Sequence, residues 1–119
     1  MRRGFLANFA VGGSLALALA GASGALAGGK TKPIKVGDDY YGPSKVTVKA
    51  GTTVKWSWLA GNADSHDVRL KSGPRGVKHF KSEIAASDYT FKRKLTKPGR
   101  YKIYCSLHDE MVQTIVVKK

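Results

Sequence analysis

Apolar and polar residues alternate through most of the chain after its first thirty positions. Lys45-Val46-Thr47-Val48-Lys49 sets two valines on one face and cationic or hydroxyl side chains on the other. That period of two is the mark of a half-buried strand. In Thr53-Val54-Lys55-Trp56-Ser57-Trp58 the valine and both tryptophans share a face, so the tryptophans read as core. Ile34-Lys35-Val36 predicts an earlier strand, followed by a turn-rich loop from Asp38 to Pro43 that carries Tyr40 and Tyr41. His66 to Leu70, Asp88 to Leu95, Arg100 to Cys105 and Val112 to Val117 read as further strands. The breaks between them are Ala60 to Asp64, Gly73-Pro74 and Lys97-Pro98-Gly99. Val77 to Ser87 is expected to be irregular or briefly helical, with Phe80 and Ile84 capping one end of the core. There is no long amphipathic helical pattern and no repeat. Seven to eight short strands predict an all-β, antiparallel Greek-key β-sandwich in one domain.

The first residues follow a different pattern. Met1-Arg2-Arg3 is a basic start, Phe5 to Ala20 is apolar but broken by Asn8, Gly12, Gly13 and Ser14, and Ala25-Leu26-Ala27 fits a cleavage site. Residues 1–27 therefore read as an export signal, and Arg2-Arg3-Gly4-Phe5-Leu6 resembles the twin-arginine type. An uncleaved membrane anchor is the alternative, but the run is short and glycine-broken for a span. Residues 28–33 are expected to be a flexible lead-in, and 34–119 the folded domain. Loss of Arg2 and Arg3 takes the formal charge from +13 to +11. A field of that sign favours redox partners with an acidic docking surface. Nucleic acid is excluded as a partner, since no nucleic-acid module is recognisable and export removes the opportunity. A monomer with no stable membrane span after cleavage is the expected state.

Small exported proteins usually staple themselves with paired cysteines, yet this chain has one. A lone thiol in an oxidising compartment is reactive unless something occupies it. The surrounding sequence names the occupant. Cys105-Ser106-Leu107-His108-Asp109-Glu110-Met111 holds the thiolate, an imidazole and the one methionine left after signal removal. Those are copper ligands, lacking only a second imidazole, which His66 supplies from Ser65-His66-Asp67-Val68. Soft thiolate and thioether favour Cu(I), and imidazole suits both oxidation states. A trigonal His2Cys set with a weak axial Met is acceptable to both, so little rearranges when an electron moves. The reading is one type 1 copper per chain, held by His66, Cys105, His108 and Met111. Cys105 ends an alternating strand and should face inward with Tyr101 and Ile103. His79 is the rival second imidazole, although a solvated loop histidine is its ordinary reading.

Several stretches together resemble the plastocyanin/azurin-type cupredoxins, the blue copper proteins. They are Pro43 to Trp56, His66-Asp67-Val68 and Pro98 to Cys105, and they extend the match over nearly all of the mature chain. The short Cys-x2-His-x2-Met spacing is most similar to the amicyanin ligand loop. The resemblance implies a cupredoxin sandwich and one-electron transfer between redox proteins outside the cytoplasm, in the periplasm or at the cell surface. In the family the residue after the first ligand histidine is usually Asn and ties that strand to the ligand loop. Here Asp67 stands there, and an Asp67–Ser106 contact is expected to hold His66 and Cys105 in register. The chain also departs from the family in Leu107, Asp109 and Glu110 around the loop histidine, where proline is common.

Tyr104 alternates outward beside Cys105 and reads either as an electron port or as a half-exposed strand aromatic. Leu107 and the edge of His108 form a second contact patch. Copper storage or delivery is the competing function, but it calls for Met or His clusters or an exposed low-coordinate site. An enzyme is rejected: the three histidines cannot furnish a second copper centre, and Cys105 lacks the partners of a nucleophile.

Overall fold

Side-chain alternation becomes burial alternation in the computed structural model, which describes residues 30–119. The expected export signal, residues 1–27, and Gly28–Gly29 lie outside the described residues. Eight strands are present among them: β1 (Thr31–Gly37), β2 (Tyr40–Gly42), β3 (Lys45–Lys49), β4 (Thr52–Trp58), β5 (Arg69–Ser72), β6 (Thr90–Leu95), β7 (Gly99–Cys105) and β8 (His108–Lys118). They form two four-stranded sheets, β2-β1-β4-β6 and β3-β8-β7-β5. The inward faces of β4, β7 and β8 supply most of the core, including Val54, Trp56, Tyr101, Ile103, Ile115 and Val117, all at most 2% exposed.

The sandwich is Greek-key as expected, but its sheets are mixed rather than antiparallel. β1 runs parallel to β4, and β3 parallel to β8. After β1 and β2 the chain crosses to the other sheet for β3 and returns as β4, so β1 and β4 point the same way. Parallel neighbours need such a crossover, and alternation carries no information about strand direction. β1 also begins earlier than its apolar residues suggest. Thr31, Lys32 and Pro33 pair with Thr53, Val54 and Lys55 instead of forming a loose lead-in.

Two local departures shape the site end. Tyr41, expected in a loop, is on β2 and only 2% exposed. The segment from 77 to 87 contains no helix; it lies along residues 66–70, joined by Leu70 N–H to Phe80 O (3.0 Å) and Ser82 N–H to Val68 O (2.8 Å). Phe80 packs on Trp56 and Phe91, under the Arg93 guanidinium. Ile84 does not cap the core and is 54% exposed. Opposite the site, Gly99 (φ 142°) has no room for a side chain, because a Cβ there would meet Pro74 at 2.6 Å.

Candidate metal centre

Three distant stretches meet at one end of the sandwich. β7 delivers Cys105, which follows Tyr101 and Ile103 on the buried face and is 3% exposed. Ser106 and Leu107 then turn the chain, and His108 already pairs with Cys105 as β8 begins. The expected ligand loop is thus a tight hairpin with an irregular register between Tyr104 and Cys105. This fold-back sets His108 Nδ1 3.7 Å from Cys105 Sγ. Met111 lies on the inward face of β8 with Gln113 and Ile115, 1% exposed.

His66 arrives from the connection between β4 and β5. Its backbone exchanges hydrogen bonds with Ala85 (2.9 and 3.1 Å), and the Trp58 indole donates to its carbonyl at 3.1 Å. The two imidazole rings are 4.9 Å apart. Donor atoms of His66, Cys105 and His108 all fall within 4.8 Å of one another. Three donors about 2–2.3 Å from one ion in a plane would lie roughly 3.5–4 Å apart, close to the Cys105–His108 separation. His79 stands outside this group, exposed, lining a shallow surface hollow with Arg69 and Tyr104.

A carboxylate fixes which nitrogen of the His66 ring faces away from the thiol. Asp38 Oδ1 lies 2.9 Å from His66 Nε2. Hydrogen bonds from the Ala63 N–H, then from His66 and the Asp64 N–H, lower the Asp38 pKa to about 2. The carboxylate is therefore ionised at neutral pH and can only accept, so Nε2 carries the proton. In the neutral ring this gives Nδ1 the bare lone pair. Among the described residues it is the one buried side-chain nitrogen or oxygen without a hydrogen-bond partner. An orphan acceptor facing a buried thiol and a second imidazole is what a metal would satisfy. His108 differs: its Nδ1 already meets Cys105 Sγ, and its Nε2 lies 3.2 Å from Asp39 Oδ1 and 3.9 Å from Asp64 Oδ2 as an ion-pair contact. The residues present fit a thiophilic ion such as copper, with Cys105 as thiolate and both Nδ1 atoms as donors.

Asp67 ties the stretches together. Its Oδ1 accepts from the Ser106 N–H (2.8 Å), and its Oδ2 accepts from the Ser106 hydroxyl (2.7 Å) and from Arg69 Nε (2.9 Å). The contact expected between Asp67 and Ser106 is present, with one bond more than foreseen. Burial pushes this carboxyl up, but the Arg69 and Ser106 donors outweigh it and hold it below the ordinary carboxylate range. Tyr41 closes the arrangement by donating to the Asp67 carbonyl at 2.6 Å. Burial, with Cys105 and Asp67 nearby, pushes the Tyr41 phenol up, so it stays a neutral donor. The roles of Asp38, Asp39, Asp64 and Tyr41 escape the sequence reading. An acidic pair in a turn, in a chain with only eight acids, is the signal that marks the first two.

Comparison with known proteins agrees with this geometry. The family model for copper binding proteins of the plastocyanin/azurin family matches residues 31–118. Amicyanin-alpha of Methylorubrum extorquens is 31% identical over 85 residues, covering 71% of this chain and 70% of that protein. Amicyanin of Paracoccus versutus is 31% identical over 78 residues, 66% of this chain and 58% of that one. A solved structure of a reduced amicyanin variant has the same fold, with a TM-score of 0.65 at 24% identity, over 74% of this chain and 82% of that chain. The chain belongs to the plastocyanin/azurin family of copper-binding proteins.

Proposed function

We propose that the protein carries single electrons between redox proteins outside the cytoplasm, with His66, Cys105, His108 and Met111 holding one type 1 copper. The bare Nδ1 of His66, buried beside Cys105 and His108, is the observation that carries this reading. When bound, copper supplies a one-electron couple between Cu(I) and Cu(II). The chain's own part is to keep the donor atoms still and dry. Asp38 fixes the His66 imidazole by its far nitrogen, Asp39 stands beside the His108 ring, and Asp67 clamps the turn that follows Cys105. The strands behind them are close-packed, so the donors stay in place as charge changes. Met111, inward on β8, is read as the weak axial group.

Delivery of copper as cargo requires an accessible site. His66, Cys105 and Met111 are each at most 3% exposed, which favours retention over release. Export rests on the reading of residues 1–27, and a monomer that is not itself an enzyme completes the proposal. Among the described residues no helix is long and apolar enough to cross a membrane. An acidic partner surface rests on net charge alone.

Voltammetry of the copper-loaded protein tests the reading. A reversible one-electron wave, with copper retained against a chelator in both oxidation states, is expected. Copper that leaves on reduction would instead mark a delivery protein.

A further inference from the structure

The chain sorts its charges by position. From residue 30 onward the acids fall two apiece into four segments, 36–44, 56–68, 82–91 and 103–117, and none of these contains Lys or Arg. Every basic residue after Arg3 lies outside them. The fold brings part of each segment to the histidine end. Asp38 accepts from the Ala63 and Asp64 backbone, and Asn62 donates to Val36 O and Ala86 O. His66 bridges to Ala85, and His108 faces Asp39 and Asp64. A protein of net charge +13 thus ends in an acidic pole at its metal site.

The proposed ligands also come nearest to solvent at that pole. His108 is the more exposed imidazole, with 24% of its side chain accessible against none for His66. Leu107 (47%), in the turn before β8, and Tyr40 (46%), at the start of β2, stand exposed at the same end. Asp38, Asp39, Asp64, Asp109 and Glu110 surround them, all exposed. Asp67 does not add to this surface, since it is buried and paired with Arg69.

We propose that electrons cross at this acidic face, and that its partner is a redox protein with a Lys- and Arg-rich surface around its own electron entry point. The proposal rests on the copper reading of His66, Cys105, His108 and Met111. Charges more than about 8 Å apart are largely screened at physiological ionic strength. At contact range the five carboxylates therefore set the sign; of the cations, Arg69 comes near through Asp67, whose charge it neutralises. The charge separation also orients the molecule, turning the acidic end toward a cationic surface before contact. The net charge, taken as a whole, points to the wrong sign of partner.

The copper(I)-loaded protein can be oxidised by tris(phenanthroline)cobalt(III), a trication, and by hexacyanoferrate(III), a trianion. Each oxidation moves one electron, Cu(I) to Cu(II) against Co(III) to Co(II) or Fe(III) to Fe(II), with no proton. The proposal predicts that the cobalt rate falls as salt rises, despite the like net charges. Asp109→Lys/Glu110→Lys should lower that rate about tenfold at low salt. Lys49→Glu/Lys118→Glu, on paired residues far from His108, should leave it within about twofold. Octalysine added to the diamagnetic copper(I) protein should shift the amides of residues 38–40, 63–65 and 107–110. A cobalt rate that rises with salt, or octalysine shifts absent from this end, overturns the proposal. So do shifts on dilution alone, which mean that the pole docks on a second copy. Failure of the copper reading looks different: no visible colour, and no oxidation by either complex.

Discussion

β4 and the stretch from His66 to Val68 are both buried, yet they are buried by different means. Along β4 the inward residues Thr52, Val54, Trp56 and Trp58 alternate with half-exposed ones, and burial follows a period of two. At His66, Asp67 and Val68 three consecutive side chains are fully buried, two of them ionisable. A strand cannot turn three neighbours to one side, so this stretch leaves regular pairing and is held by specific hydrogen bonds instead. The apolar strand is stabilised by area removed from water, a term indifferent to small shifts. The polar stretch depends on partners at fixed positions, and those partners are what aim the donor atoms.

The sharpest way to separate the two regions is to remove one residue from each. Cys105→Ser should abolish the visible thiolate–copper band and weaken Cu(II) binding by more than the ~10–100-fold typical of outer-sphere changes. The metal-free fold should survive, as copper titration and unfolding of the same variant will show. Trp56→Ala does the opposite. It opens the core and leaves Gln113 Oε1 without the indole donor (2.9 Å), at a cost of about 3–5 kcal/mol in denaturant unfolding. Whatever fraction of that variant remains folded should still bind copper.

Asp67→Ala tests whether the polar stretch is a unit. It strands Arg69 and both Ser106 donors and should cost about 2–3 kcal/mol. Copper affinity should also fall by about 10–100-fold. An unchanged affinity and reduction potential would show that the Ser106 turn holds its place without Asp67. The smallest effect belongs to Asp38. Its pKa is lowered in the folded protein, so its contribution to stability is present above the ordinary value of 3.8 and disappears as pH falls through about 2. Asp38→Asn should remove that slope in acid unfolding curves of the metal-free protein and leave the slope above pH 5 unaltered.

The contrast also explains what was legible in the sequence. β3, β4 and β7 are visible because alternation is local, and Cys105, His108 and Met111 because their spacing is a hairpin's own. His66 is read as the second imidazole for lack of a better one and from the family resemblance of His66-Asp67-Val68. The strand directions were hidden, since Ile34 opposite Trp56 and Val46 opposite Ile115 look the same in parallel or antiparallel sheets. Asp38 and His66 are 28 residues apart, and only folding reveals that a turn carboxylate is the group that fixes the imidazole. Tyr41 is hidden for the same reason: the Asp67 carbonyl that its buried hydroxyl meets is 26 residues away in sequence. Total charge is a coarser reading than charge position. It is a sum, and docking responds to where the carboxylates stand.

Titration of the purified, processed protein with Cu(II), followed by visible absorption, tests the central claim most directly. The account predicts an intense thiolate-to-copper band that saturates at one copper per chain and is lost in Cys105→Ser. A folded protein that takes up one copper and stays colourless would contradict it.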